Sequence, residues 1–162
     1  RAPETEAPAE GHVVFAGAGP GDPELLTLKA RRALHEADVV IYDRLVSPAI
    51  LELARREALM LSAGKEGFGA AMSQADINAL IVKHASAGVQ VLRLKGGDPA
   101  VFARLDEEIE ACEAHDIAFS IIPGITAASA SAAALGQSLT KRGRNTEARL
   151  VTGHDMQGYA DQ

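Results

Sequence analysis

Short apolar runs that alternate with helical patterns constrain the fold of this chain most strongly. The runs are rich in β-branched and aliphatic residues, and helix-forming sequence separates each from the next; they lie at residues 12–16, 38–43, 60–65, 89–94 and 117–122. Alternation of this kind is typical of a parallel sheet that is covered by helices. We therefore predict an α/β fold with a five-stranded, mainly parallel sheet and helices on both faces.

Glycine-containing breaks follow the first, third, fourth and fifth of these strands. The fourth strand ends at Gly96-Gly97, which leave main chain open to a ligand, while Asp98 adds an acceptor and Pro99 stiffens the exit. An ordinary tight turn is the structural alternative for this loop alone. Because the carboxyl ends of parallel strands meet at one edge, the breaks together predict a ligand site there.

The loop at residues 17–23 permits a dinucleotide-binding interpretation, since Gly17 and Gly19 follow a strand and Asp43 closes the next one. The third glycine of that fingerprint falls on Asp22, whose carboxylate would repel a pyrophosphate. Pro20 and the proline at position 23 also remove N–H donors. This loop suits a neutral or cationic ligand better than an anionic one, and a purely structural turn remains the alternative.

Polar residues close to the strand ends have both structural and functional interpretations. Asp43 ends the second strand, where a salt bridge with a neighbouring arginine is the structural alternative, and Lys65 ends the third. Thr126 either caps the following helix, which is the default, or contacts a ligand. The acids at 106–108 open a helix, so the helix dipole explains them and we assign them no chemistry.

Composition excludes several classes of function. The chain of 162 residues has a net charge of −6 and 4% aromatic residues, which argues against nucleic-acid binding. It has no apolar run near the roughly 18 residues of a membrane span and no signal-peptide pattern, so we expect no membrane association and a cytoplasmic location. Cys112 is the single cysteine, and no two histidines lie three or four residues apart, so no metal site is predicted.

Taken together, the motifs of this chain resemble those of the uroporphyrinogen-III C-methyltransferases of the tetrapyrrole methylase family. They keep the order and spacing of that family from about residue 12 to 155. The matching strings are Gly-Ala-Gly-Pro-Gly-Asp-Pro at 17–23, Leu-Leu-Thr-Leu-Lys at 25–29, Ala-Asp-Val-Val-Ile-Tyr-Asp-Arg-Leu-Val at 37–46, Gly-Lys at 64–65, Arg-Leu-Lys-Gly-Gly-Asp-Pro at 93–99, Pro-Gly-Ile-Thr at 123–126 and Val-Thr-Gly-His at 151–154.

The resemblance implies an enzyme that takes two methyl groups in succession from S-adenosylmethionine and transfers them to pyrrole carbons of uroporphyrinogen III. The products are precorrin-2 and S-adenosylhomocysteine, in the siroheme, cobalamin or heme d1 branch. The family implies a homodimer without a metal, Asp43 as proton acceptor and Lys65 as proton donor. It also implies cofactor binding, largely through main chain, at Pro20, Gly96, Gly97, Asp98, Val101, Thr126 and Ala127.

The substrate of that family is a polycarboxylate, so cations are candidates to contact it. We predict this role for Arg44, Lys95, Arg104, Lys141 and Arg142. Residues 100–108 depart from the family pattern by losing three glycines, at positions 103, 105 and 106, which predicts a stiffer loop. Lys141-Arg142 replaces the usual His-Arg pair.

The resemblance also implies a domain organisation. Residues 1–11 are a tail or linker, residues 12–138 form an N-terminal α/β domain, and residues 139–162 are a linker and the first strand of a second α/β domain that is largely missing. Weak or no activity is expected of such a fragment alone. The alternatives are a later precorrin methyltransferase, a non-catalytic module that binds the cofactor or a partner, and a nucleotide-dependent oxidoreductase.

Overall fold

A computed structural model describes residues 11–64 and 71–153 of the chain. Its five strands form one sheet in the order β3-β2-β4-β1-β5, and every pair of neighbouring strands is parallel. The strands are β1 (His12–Gly17), β2 (Val39–Tyr42), β3 (Leu59–Ser62), β4 (Gln90–Lys95) and β5 (Ala118–Ile122). The predicted five-stranded α/β fold is confirmed, and the sheet is wholly rather than mainly parallel.

Helices occupy the connections between the strands. They are α1 (Leu28–Glu36), α2 (Pro48–Leu51), α3 (Gln74–Ser86), α4 (Leu105–Ala114) and α5 (Ala127–Leu135), and a 3-10 turn spans Pro23–Leu25. Local sequence explains where two of them begin: the hydroxyl of Thr27 accepts a bond from the Ala30 amide, and that of Ser73 accepts one from the Asp76 amide. Such side-chain caps satisfy amides that have no partner within the helix.

Two apolar layers cover the two faces of the sheet. On one face, Ala30 and Leu34 of α1 pack with Val40 and Leu92. On the other face, residues of α3 and α4 such as Ile81 and Cys112 pack with the alternate strand positions. Alternate side chains of a strand point to opposite faces, so central strands that are covered on both sides are apolar throughout. The prediction of helices on both faces is confirmed.

The chain divides into two compact units, Arg1–Ala127 and Ala128–Gln162. The first contains the sheet and α1 to α4, and the second begins within α5. From residue 136 to residue 153 the described chain has no helix or strand, and Val151 in the predicted strand of a second domain is 80% exposed. A strand needs a neighbouring strand to bond its main chain, and the sheet formed by the described residues includes no strand from this segment. The domain boundaries stay predictions.

Candidate functional site

A cleft of about 460 Å³ lies at the carboxyl ends of the strands, where the sequence predicted a ligand site. This volume falls in the range of small-molecule sites. It is lined by Gly19, Pro20, Asp43, Leu45, Gly96, Gly97, Asp98, Val101, Phe102, Ala103, Thr126 and Ala127. The structure thus brings together all seven positions that the family resemblance assigns to cofactor binding, and it places Asp43 beside them.

Main chain forms one wall of this cleft. Gly19 and Gly97 bond each other in this wall, with the Gly97 amide 2.8 Å from the Gly19 carbonyl oxygen and the Gly19 amide 3.1 Å from the Gly97 oxygen. Gly97 has a φ of +63°, in the left-handed region that favours glycine. A Cβ atom on Gly96 would meet only the Cβ of Leu45, at 3.9 Å. The wall is therefore bare backbone with open space beside it, as the sequence predicted for this loop.

The two aspartates of the glycine loops accept hydrogen bonds from main-chain amides. Asp98 accepts bonds from the Gly124 amide at 3.0 Å and the Ala100 amide at 2.8 Å, and so links the loops after β4 and β5. Asp22 accepts a bond from the Glu24 amide at 2.9 Å and caps the 3-10 turn. These carboxylates organise the loops, and the described residues that line the cleft include no Lys or Arg. The local charge therefore suits a neutral or cationic ligand.

Asp43 makes the salt bridge that the sequence offered as its structural alternative, but with a residue of another strand. Its Oδ1 lies 2.8 Å from Nη2 of Arg93 on β4, and 35% of its side chain is exposed. Arg93 is 2% exposed. Asp43 therefore combines a fixed orientation with access to the cleft.

Glu108 lies behind this pair and is fully buried. One carboxylate oxygen accepts a bond from Nε of Arg93 at 3.1 Å. The other accepts bonds from Nη2 of Arg93 at 3.3 Å, Nζ of Lys95 at 3.0 Å and Nε2 of Gln74 at 3.0 Å. A buried carboxylate needs such partners because water cannot solvate it.

Lys95 does not lie where a substrate contact would need it. Its side chain is 2% exposed, and Nζ donates to the carbonyl oxygen of Ala103 at 2.6 Å as well as to Glu108. Burial, together with the positive charge of Arg93, lowers the pKa of Lys95. This placement argues against the predicted substrate contact, because the ammonium group would have to leave a buried ion pair.

Sequence reasoning missed Arg93 and Glu108. Position 93 shares its face of the sheet with the buried Val91, so a cation there requires an anion in the interior. The acids at 106–108 were explained by the helix dipole, yet Glu108 is buried while Asp106 is exposed. Because alternate residues of a strand point to the same face, Arg93 could have been predicted to be buried like Val91. A buried arginine would then have predicted that one of these acids pairs with it.

The remaining predicted substrate contacts are surface residues. Arg44 is exposed, and Arg104 is 62% exposed and pairs with Glu107 at 2.8 Å. Lys141 and Arg142 are exposed within the second unit. The predicted proton donor Lys65 lies outside the described residues.

The loop that departs from the family pattern carries unusual backbone angles. Phe102 has a φ of +49° and Arg104 a φ of +54°, and neither stands at a lost glycine. Residues with a Cβ atom adopt this region at some cost. Phe102 nevertheless keeps 61% of its side chain exposed and lines the cleft. The altered loop therefore presents an aromatic ring to the site.

The described residues contain neither a grouped set of metal ligands nor a membrane-spanning helix. In residues 11–64 and 71–153 no three His, Cys, Asp or Glu side chains are grouped so that they could hold a metal ion. No helix within those ranges has the length and apolar character needed to cross a bilayer.

The chain belongs to the tetrapyrrole methylase family. Residues 12–160 match tetrapyrrole (corrin/porphyrin) methylases, which confirms the family expected from the motifs. The siroheme synthase of Nitrosospira multiformis is 51% identical over 158 residues, which cover 98% of this chain and 34% of that protein. The siroheme synthase of Pseudomonas paraeruginosa is 54% identical over 153 residues, which cover 94% of this chain and 33% of that protein. The chain spans about one third of the length of these curated relatives.

Solved structures of methyltransferases share this fold. The uroporphyrin-III C-methyltransferase of Thermus thermophilus, complexed with S-adenosylhomocysteine, is 42% identical with a TM-score of 0.77 over 94% of this chain and 60% of that one. A cobalt precorrin-4 methyltransferase of cobalamin biosynthesis is 31% identical with a TM-score of 0.72 over 80% of this chain and 52% of that one. The fold is thus that of methyltransferases acting on tetrapyrroles.

Proposed function

We propose that this chain is the cofactor-binding part of a uroporphyrinogen-III C-methyltransferase. In this function, methyl groups pass from S-adenosylmethionine to two pyrrole carbons of uroporphyrinogen III, giving precorrin-2 for siroheme, cobalamin or heme d1. The observation that carries the proposal is the convergence of seven family cofactor positions and Asp43 on one cleft. The likeness to a methyltransferase complexed with S-adenosylhomocysteine supports it.

The cleft fits the chemistry of this cofactor. When bound, S-adenosylmethionine supplies a methyl group on a positively charged sulfur, which is readily transferred to a carbon nucleophile. Glycine main chain at Gly96 and Gly97 allows close approach, and the charged residues among the described lining are Asp43 and Asp98. This charge favours a sulfonium over a pyrophosphate, and so supports the methyltransferase against the oxidoreductase alternative.

Asp43 is the residue that we assign to proton removal. Attack by a pyrrole carbon places positive charge on the ring, and loss of a proton relieves it. The Asp43 carboxylate lines the cleft, and its bond to Arg93 holds it in one orientation. Lys65 is proposed as the proton donor, as in the family.

Cations on the surface are proposed to bind the carboxylates of the substrate. Arg44 follows Asp43 and is exposed, and Arg104 follows the cleft residue Ala103. Lys141 and Arg142 complete the proposed set. Homodimer formation and a cytoplasmic location are further proposals that follow the family.

Calorimetric titration with S-adenosylhomocysteine tests the cofactor site without substrate. Saturable binding by the chain is expected. It should be lost in a Gly97→Val variant, because a branched side chain at a φ of +63° both strains the backbone and enters the site. Gly88→Val is the matched control, since Gly88 has a φ of +85° and does not line the cleft.

Equal loss of binding in both variants would contradict a role of Gly97 in the site, since backbone strain alone would explain it. Absence of binding by the unmodified chain would reject the proposal that this chain carries the cofactor site. Where binding is found, methyl transfer from labelled S-adenosylmethionine to uroporphyrinogen III tests the reaction. Detectable transfer, even if weak, would exclude the non-catalytic module.

A further inference from the structure

We propose that Glu108 is a positioning residue that fixes two parts of the cleft at once, the Asp43 carboxylate and the wall at residues 101–103. This inference rests on the proposed function, because it assigns Asp43 and that wall to the methyl-transfer site. Glu108 itself does not line the cleft. It acts through two cations that bond its carboxylate: Arg93, which also pairs with Asp43, and Lys95, which also bonds the Ala103 carbonyl oxygen.

The first connection runs through Arg93 to Asp43. Glu108 accepts bonds from Nε and Nη2 of the guanidinium, at 3.1 and 3.3 Å, and the Ile41 carbonyl oxygen accepts one from Nη1 at 3.4 Å. A planar guanidinium held by two oxygens of one carboxylate has little freedom to rotate. Its Nη2 then meets Oδ1 of Asp43 at 2.8 Å. Glu108 therefore sets the orientation of the carboxylate in the cleft.

The second connection runs through Lys95 to the loop. Nζ of Lys95 lies 3.0 Å from Oε2 of Glu108 and 2.6 Å from the carbonyl oxygen of Ala103. Val101, Phe102 and Ala103 line the cleft. The ammonium group that Glu108 holds in the interior thus ties this wall to the end of β4.

Charge balance explains why the central residue is a carboxylate. Asp43 and Glu108 carry two negative charges, and Arg93 and Lys95 carry two positive ones. Glu108 is fully buried, and it accepts four bonds from three side chains. A glutamine has nearly the same shape, but its amide nitrogen must face donors on one side. Glu108→Gln therefore removes the charge that holds both cations, without creating a cavity.

The test compares Glu108→Gln with Glu110→Gln, which makes the same charge change on an exposed residue of the same helix. Affinity for S-adenosylhomocysteine is measured by calorimetry. NMR of labelled protein at constant pH reports the Asp43 carboxyl carbon and the Ala103 amide. We expect at least a tenfold loss of affinity and displaced signals of both groups in Glu108→Gln. Glu110→Gln should leave affinity within twofold and both signals unchanged.

The double variant Lys95→Met/Glu108→Gln separates positioning from stability. It restores charge balance, because Asp43 and Arg93 remain as a neutral pair. The melting temperature and the Asp43 signal should therefore return towards those of the unmodified chain. The Ala103 signal and the affinity should stay altered, because the bond from Lys95 is absent.

Unchanged Asp43 and Ala103 signals in Glu108→Gln would overturn the proposal. Full recovery of affinity in the double variant would also overturn it, because the bond from Lys95 would then not matter for binding. Failure of that variant to fold would overturn it as well, because the network would then serve stability alone. If the unmodified chain binds no S-adenosylhomocysteine, the proposed function fails. The two NMR signals then still decide whether Glu108 positions Asp43 and the loop.

Discussion

A Cβ atom on Gly17 would lie 2.3 Å from the carbonyl oxygen of Gly97. It would also lie 2.8 Å from the Cα atom of Gly124. Gly17 ends β1, Gly97 follows β4 and Gly124 follows β5, so the ends of three neighbouring strands touch main chain to main chain. This contact brings the loops that line the cleft into place.

Replacing Gly17 by alanine should destabilise the chain by about 3 kcal/mol. The atoms that a methyl group would meet belong to backbone, which cannot swing aside as a flexible side chain can. Relief would require the strand ends to separate. Urea unfolding followed by circular dichroism measures the loss as a lower midpoint.

Gly96→Ala is the matched control for this prediction. The nearest atom to its added Cβ would be the Cβ of Leu45 at 3.9 Å, an ordinary contact distance. Its cost should stay below about 1 kcal/mol. Similar losses for the two variants would contradict the close packing of the strand ends.

The parts of this structure that the sequence could predict are those with local causes. Short apolar runs predicted all five strands; the run at 89–94, for example, is β4 at Gln90–Lys95. Convergence of the glycine loops on one edge followed from the parallel arrangement. The start of α3 also has a local cause, because the Ser73 hydroxyl caps it.

The charged interior could not be predicted in this way, because its partners come from different elements. Asp43 follows β2, Arg93 lies in β4 and Glu108 lies in α4. These three residues come together only because α4 packs on the sheet. From its neighbours in sequence alone, Glu108 is interpreted as an acid that interacts with the helix dipole, and Lys95 as a cation that is free to contact substrate. Both interpretations fail because they depend on exposure, which the fold decides.

Arg93→Met should destabilise the chain by about 3 to 5 kcal/mol, because it leaves the fully buried Glu108 without its main counterion. Arg104→Met makes the same change at a surface pair with Glu107 that is 62% and 40% exposed. That variant should cost less than about 1 kcal/mol. Thermal and urea unfolding of the two variants give the comparison, and equal costs would contradict the buried network.

Stability should fall between pH 8 and pH 10.5 because of Cys112. Burial, aided by the negative charges of Glu108 and Glu113, raises the pKa of this thiol to about 11 from its ordinary 9.0. As pH rises past 9, the unfolded chain releases the thiol proton while the folded chain retains it, so ionisation favours unfolding. The contribution is about 2 kcal/mol over this interval.

Cys112→Ala isolates that contribution. The lowered pKa of Lys95 acts in the opposite direction, since the folded chain loses that proton first, but it acts equally in both proteins. Urea unfolding at the two pH values should therefore show a smaller loss of stability in the variant than in the unmodified chain. Equal losses would show that the thiol ionises as readily in the folded state as in the unfolded state.

Asp98→Ala should weaken both the fold and the cleft. The variant loses two bonds from the Gly124 and Ala100 amides, which predicts a destabilisation of about 2 to 3 kcal/mol. Since those bonds join two loops beside the cleft, affinity for S-adenosylhomocysteine should fall at least tenfold in calorimetric titration. Asp22→Ala removes one comparable bond, to the Glu24 amide outside the cleft, and should cost about 1 kcal/mol with affinity unchanged. Affinity that falls equally in the two variants would mean that the carboxylates act on the ligand through general charge rather than through loop position.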